Sequence, residues 1–587
     1  MGQNRWKNRW RRLDNTAKIF PVIANENVSQ VFRISVTLKE PVDPELLSRA
    51  LEEILPEIRN FRVKMRRGLF WYYFEENDRI PQVKRENTYP CRFIDPHGNQ
   101  RFLFRVTYYE KRINLEVFHA LTDGLGAVNF LKCLTRQYLR LAEGASEFMT
   151  RDDENARKQE IFHVQDSYLE HGEDGKPRSY SSRPAYQLEG HYLPLGTGQV
   201  LHGYVPVSRL KAVCKQHGVS ITKYLAALLI WSIWQEYLGG KSSRCAVVLN
   251  LPINLRAFFG SDTMANFFAV TMIGWLFRNP DIPFEVLLRK VSSQMDRKID
   301  KDKLAESIAY NVSNEKKWYV RAIPLFIKHL AMELIFLRTS RAHTMTFSNI
   351  SPAKIREDLR EDVEDFELLV GASPKQRMKC GAVAYDGKLC LAFTSAMAEN
   401  RLPEVFFRFL EDQGIPVEQE SNGITDREHD KGRYPVIAQD RRKIKKAVRM
   451  FYLSLVFVSV LAGIVNLATY RQIPFKWSLL TAGAAAYVAM TLKFSVMRHA
   501  SLSGILVRQC LGIQAILLLI DTLTGLHGWS VDYAIPCVVL FEVAAILLMM
   551  LVNRLNWQSY FMYQIAITVL SFIPLIFWKI GWTRHPL

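Results

Sequence analysis

The chain predicts a two-lobed α/β protein followed by about five transmembrane helices, and three observations carry that expectation. Strand-like alternation and helix-like periodicity interleave over roughly the first 450 residues. A polar stretch from about 145 to 195, with Gly, Ser and Pro and few aliphatic residues, divides this part in two. Beyond Arg449 the composition changes: residues 451–587 hold eight Lys/Arg and three Asp/Glu among long apolar runs. At 587 residues the chain is also too long for one core. The expected segments are an N-terminal lobe over 1–150, a linker or crossover over 151–195 and a C-terminal lobe over 196–415. A basic linker over 416–447 and a helical membrane domain over 448–580 follow.

Residues 28–38 alternate as a strand, with Phe32, Ile34, Val36 and Leu38 on one side. Asp43-Pro44 opens a helix whose Leu46, Leu47, Ala50, Leu51 and Ile54 share a face. Strands are expected at about 69–75, 101–109 and 113–118, and a helix from Leu125 to Ala142. The second lobe opens on a strand near 199–206, and Ser208 suits the cap of the next helix. The apolar helix over 220–237 is interrupted by Lys223 and other polar residues, so it reads as a core helix and not a membrane span. Strands at 244–250, 266–277, 364–371, 381–385 and 388–395, with helices near 283–302 and 402–410, complete that lobe.

In the tail, five apolar runs approach the ~20 residues that a bilayer core demands: 448–470, 477–496, 502–522, 532–552 and 559–578. Arg441, Arg442, Lys443, Lys445, Lys446 and Arg449 precede the first, which by the positive-inside rule puts residues 1–447 in the cytoplasm. Lys579 and Arg584 pull weakly the other way. Glu542 falls inside the fourth run. It either stays protonated, pairs with Arg508 or lines a polar path, and pairing is the preferred reading. The formal charge of +19 concentrates beside these runs and at the N-terminus, so an anionic membrane surface is the expected partner, and no nucleic acid is. Trp6, Arg9, Trp10 and Arg12 suit a headgroup-seeking segment or an unstructured basic leader. No signal peptide or myristoylation site is expected. Eight scattered cysteines without a CxxC pair point to a reducing compartment for the globular part.

The chemistry concentrates at His119-Ala-Leu-Thr-Asp123-Gly124, where a strand gives way to a helix. An imidazole there suits a fixed proton acceptor, because its pKa lies close to working pH. Asp123 stands where it caps the helix or pairs with an arginine, and Gly124 permits a tight turn. Taken alone, His119 reads as a satisfied core histidine, since it alternates with Ile113, Leu115 and Val117. A metal site is not expected, as no third ligand has the right spacing. Arg256 and Asn254 read equally as surface residues after a strand, and Asn266 as a strand start.

Set beside Leu251-Pro-Ile-Asn254-Leu-Arg256, Asn266 and Ser348-Asn349-Ile-Ser351, the HxxxDG motif resembles the alcohol O-acetyltransferase and condensation-domain superfamily, with its chloramphenicol acetyltransferase-like fold. The segment Arg12-Leu-Asp14-Asn15-Thr-Ala-Lys-Ile-Phe20-Pro21 is similar to the start of bacterial members, and the resemblance spans about 12–420. It implies two lobes with mixed sheets meeting at a channel, with His119 as general base for acyl transfer from a thioester and no acyl-enzyme. It implies Asp123 paired with Arg256 as a structural member, supported by Asn254 and Asn266, and Ser348 and Asn349 near the oxyanion or substrate. Phe118 stands where the peptide-synthetase motif has its first histidine, which favours the acetyltransferase-like version. The expected donor is acyl-CoA as co-substrate, with an acyl carrier protein as alternative and no bound cofactor. The expected acceptor is a hydroxyl, lipid-like because of the fused tail. A non-catalytic scaffold or transport protein with a degenerate domain is the rival reading.

Overall fold

The computed structural model describes residues 10–25, 28–96, 98–144, 166–172, 183–191, 193, 197–280, 282–350, 357–373, 376–399, 401–422, 434–435, 441–472, 474–491, 502–525 and 528–552. It divides into two units, Met1–Ile437 and Ala438–Leu587.

The first unit begins with β1 (Trp10–Arg12), α1 (Phe20–Ile23), β2 (Val31–Leu38), α2 (Pro44–Ile54), β3 (Val63–Arg67), β4 (Tyr72–Glu76), β5 (Lys84–Arg85), β6 (Phe104–Tyr109), β7 (Arg112–Phe118), α3 (Gly124–Ala142) and α4 (Ser167–Glu170). It continues with β8 (Gln199–Pro206), α5 (Val207–Gln216), α6 (Ile221–Leu238), β9 (Val247–Asn254), α7 (Arg256–Phe259), β10 (Phe268–Trp275), α8 (Phe284–Lys298), α9 (Lys301–Lys316), α10 (Trp318–Ala322) and α11 (Leu325–Thr339). Last come β11 (Met345–Ile350), β12 (Val363–Val370), β13 (Met378–Tyr385), β14 (Lys388–Ser395), α12 (Arg401–Asp412) and β15 (Glu418–Ser421).

A five-stranded sheet runs β12-β2-β7-β6-β5 and a seven-stranded sheet runs β10-β9-β11-β13-β14-β8-β15, with a small β1-β4-β3 sheet beside them. Both large sheets are mixed: β5 lies parallel to β6, and β11 parallel to β9 and β13, while the other pairs are antiparallel. Asp43 caps α2 by accepting from Glu45 and Leu46 N–H. The apolar faces of α2 and α3 join Ile34, Val36, Leu115 and Val117 in the first core. Each fully buried side chain of this size contributes about 1.5–3 kcal/mol. The helix α6 is buried nearly all round in the second core, which explains its length of apolar sequence without a membrane.

Four expectations are corrected, two by long-range strand pairing and two at helix ends. The strand at 363–370, read as part of the second lobe, pairs with β2 and completes the first sheet. Glu418–Ser421, inside the stretch read as the 416–447 linker, forms β15 on the edge of the second sheet. The single helix expected near 283–302 ends at Lys298, and Asp300 caps a separate one. Ser208 does not cap α5, which starts at Val207 behind Pro206.

β2 is buried on both faces, not one. Its second face carries Arg33, Ser35 and Thr37 into a buried polar layer between the two sheets. Arg33 pairs with Glu86 (2.5 Å) and Glu116 (2.8 Å), and Arg112 with Glu86 (3.1 Å) and Glu367 (3.5 Å). From the second sheet, Tyr204 donates to Glu367 (2.9 Å), and His202 bonds Tyr434 (2.7 Å), whose ring lies under Arg112. Burial opposes the charge on Arg33, but Glu86 and Glu116 overcome it and hold the guanidinium above its ordinary pKa.

The second unit contains α13 (Arg441–Thr469), α14 (Trp477–Thr491), α15 (Leu502–Thr524) and α16 (Ile535–Val552), packed in sequential pairs. Among the described residues one helix segment, Arg449–Thr469, is long and apolar enough to cross a membrane. Its 21 residues span about 31 Å, the thickness of a bilayer core. The expectation of about five such helices is therefore not met by the described residues: α14 is only 15 residues long, and the run at 559–578 lies outside them. Residues 1–9 also lie outside, so the N-terminal basic segment is described only from Trp10, where β1 pairs with β4. Glu542 is buried beside Cys510, and among the described residues no ion pair joins it to Arg508.

Candidate active site

β9 and β11 pair at only two positions, Leu249↔Met345 and Asn250↔Thr346, and then part. β9 goes on against β10 and β11 against β13. The gap between them opens into a cavity of about 340 Å³ lined on these strands by Pro252, Asn254, Ser348 and Ile350. Its opposite wall is the first sheet and its helices, with His119, Gly124, Phe32 and Val370.

His119 follows β7, held by its backbone N–H, which donates to Gln30 (2.9 Å). Its ring stacks on Phe20 (4.5 Å between centroids) and meets Phe32 and Phe268 at 5.0 and 5.4 Å. Nδ1 donates to Asn266 Oδ1 (3.2 Å). Asn266 is oriented in turn by Asp14, whose Oδ2 accepts both its backbone N–H and its Nδ2–H at 3.2 Å. The amide nitrogen is thereby committed to Asp14, so the amide oxygen faces the imidazole and the proton sits on Nδ1. Nε2 keeps its lone pair and has no hydrogen-bond partner among the described residues. Burial lowers the His119 pKa, although Asp123 and Asn266 work against that, so the ring is neutral at working pH. Burial, aided by Asp166, pushes Asp14 up to about 7.

Asp123 caps α3 by accepting from Gly126 N–H (3.2 Å). It also forms a two-bond fork with Arg256 (2.7 and 3.1 Å) and accepts from Phe267 N–H (3.0 Å). Arg256 spends its remaining donors on Thr263 and Ala265 carbonyls and on Asn254 Oδ1. With every polar atom engaged, this pair clamps the two halves together. Gly124 does not adopt a left-handed turn; its role is room, because a Cβ there would lie 2.6 Å from Ile350 Cδ1. The turn reading of Gly124 is thus replaced by a close approach between lobes.

Asn349 lines the cavity but its Nδ2 donates to Thr222 at the start of α6 (2.9 Å). Ser348 lines it without a hydrogen-bond partner among the described residues. The structure brings His119, Asp123, Gly124, Asn254, Arg256, Asn266, Ser348 and Asn349 around one cavity. Sequence reasoning gave Asp14 no role and passed over Lys379, which lines the same cavity from β13. The strand expected at 381–385 stopped short of it, and a lone lysine beside a strand ordinarily faces solvent, so periodicity held no signal for it. Among the described residues no cluster of three His, Cys, Asp or Glu side chains could hold a metal.

A family of unknown function, DUF6320, matches residues 434–587. No characterised protein matches the chain in sequence. In fold, the chain is similar to polyketide synthase associated protein 5 from Mycobacterium tuberculosis, at 15% identity over 68% of this chain and 96% of that one, with a TM-score of 0.47. It is also similar to TRI3 trichothecene 15-O-acetyltransferase from Fusarium sporotrichioides, at 9% identity over 69% and 94% with a TM-score of 0.46. A variant starter condensation domain of rhizomide synthetase in complex with C8-CoA gives 12% identity over 69% and 94%, with a TM-score of 0.46.

Proposed function

We propose that this protein is a membrane-anchored acyltransferase that moves an acyl group, most simply acetyl, from acyl-CoA to a hydroxyl on a lipid-like acceptor. One observation carries the reading: an imidazole with Nδ1 fastened and Nε2 unengaged lines a cavity between two lobes. A histidine buried only for packing would not need its tautomer set by an Asp14–Asn266 relay.

In the proposed reaction the acceptor O–H lies against Nε2 and its oxygen attacks the thioester carbonyl carbon. The proton passes to Nε2 as the C–O bond forms. Ser348, which lines the same cavity, would donate its O–H to the developing oxyanion. Collapse breaks the C–S bond, and the departing thiolate takes the proton back from the imidazolium, which releases CoA and leaves His119 neutral. No acyl-enzyme forms. Phe20, Phe32 and Phe268 keep water from competing with the acceptor. An acyl carrier protein would present the same thioester.

The anchor rests on α13, whose Val456, Phe457, Ile464 and Leu467 are exposed apolar side chains. The basic residues Arg441, Arg442, Lys443, Lys445 and Lys446 at its N-terminal end favour a cytoplasmic catalytic unit, where CoA is found. The test is CoA release by the full-length protein in detergent micelles, given acetyl-CoA and membrane lipid extract. His119→Ala should lower kcat/KM about 10²- to 10⁴-fold. Equal rates in the two proteins would remove the enzymatic reading.

A further inference from the structure

Among the described residues, Lys379 is the one cavity residue whose charge the mechanism leaves unused. It sits on β13 between Thr346 of β11 and Thr394 of β14, on the face opposite the buried Cys380. Only 8% of it is exposed, and it lines the cavity that holds His119. Among the described residues no carboxylate lies within ion-pair distance of its Nζ. The acidic group that acts on it is Cys91, and burial pushes that thiol up to about 12, so it is neutral. Burial lowers Lys379 itself to about 8, which still leaves it largely an ammonium at neutral pH.

A buried, unpaired ammonium is costly, and other charged side chains on the same sheets are paired. It also works against His119, since its positive charge opposes a second one on the imidazole. Both costs are relieved if the substrate supplies the counter-charge. Gln376 and Thr346 line the cavity with it and offer further polar contacts. The phosphates of CoA are not that charge: they lie a full pantetheine arm from the thioester, whereas Lys379 is close enough to His119 to act on its proton affinity.

We propose that Lys379 is a substrate-binding residue that selects an anionic group, a carboxylate or phosphate, carried into the cavity on the acceptor or on the transferred acyl group. This rests on the acyltransferase reading for which substrate bears the charge, but not for the preference itself. An anion beside Lys379 also lets His119 take its proton without a net second charge in the cavity.

The experiment uses the full-length protein in detergent micelles and two matched probe pairs. Succinyl-CoA against acetyl-CoA tests the acyl group, and 12-hydroxydodecanoate against its methyl ester tests the acceptor, with acetyl-CoA as donor. Equilibrium binding is measured for each pair by calorimetry, alongside CoA release. The expected result is an anionic preference of about 10- to 100-fold in one pair, which identifies the source. Lys379→Met, which removes a buried charge at similar volume, should collapse that ratio towards one, and Lys379→Arg should restore part of it. Equal binding of both members of both pairs by the wild type overturns the proposal, as does a preference that survives in Lys379→Met. An anionic preference in binding without any CoA release would instead remove the acyltransferase reading and leave the anion site standing.

Discussion

Two side chains flanking Asn266 make opposite demands on protons. His119 must be neutral to act as a base, and burial lowers its pKa from the ordinary 6.5. The acidic limb of the kcat/KM profile should therefore fall below about pH 6.5. A limb at or above that value would argue against His119 as the base. Asp14 shifts the other way, to about 7, because it is buried. Between pH ~4 and ~7 the unfolded chain ionises this group while the folded chain keeps it protonated, so stability is lost as pH rises through that window. Measured against Asp14→Asn, which cannot titrate, the wild type should lose about 4 kcal/mol across it in denaturant melts. The same substitution frees the Asn266 amide to turn, so kcat should fall about 10- to 100-fold with little change in KM. An unchanged kcat would show that Asp14 only fills space.

At the scale of elements, glycines mark where strands of one sheet come close to the other. Gly381 on β13 lies against β12, and a Cβ there would stand 2.2 Å from the Leu368 carbonyl oxygen. Backbone cannot yield cheaply, so Gly381→Ala should destabilise by about 3 kcal/mol or more, read from denaturation midpoints. Gly124 meets only the end of the Ile350 side chain. Gly124→Ala should cost about 1–3 kcal/mol, and Ile350→Val, which removes the clashing carbon, should recover most of it in a double-mutant cycle. Additive effects would mean that Ile350 is not what Gly124 makes room for. The HxxxDG pattern was legible because its residues are neighbours in the chain. The reason for its glycine was not, because Ile350 is a residue of the other lobe.

For the whole molecule, the two sheets are joined by charge as much as by hydrocarbon. Asp123 belongs to the first half and Arg256 to the second, and their fork is buried. Arg256→Met leaves a carboxylate stranded and should cost about 3–5 kcal/mol, whereas the added change Asp123→Asn should recover part of that loss. Tyr434 closes the polar layer through His202 and Arg112 although it lies far along the chain from both. The proposed anchor predicts that alkaline carbonate leaves the protein in the membrane pellet. Release into the supernatant would mean that α13 packs against protein instead.

By itself the sequence determined the local signals: capping at Asp43 and Asp123, the buried character of α6, the change of composition near Arg449 and the histidine corner. These depend on residues within a turn or two of each other, so periodicity and side-chain chemistry are enough to read them. Only the tertiary structure decided that 363–370 crosses to the first sheet, that Asp14 orients Asn266 from 252 residues away, and that Lys379 is walled into the cavity. Sheet pairing and desolvation couple positions without regard to their distance along the chain. A lysine in an alternating strand therefore reads the same whether water or a second sheet lies above it.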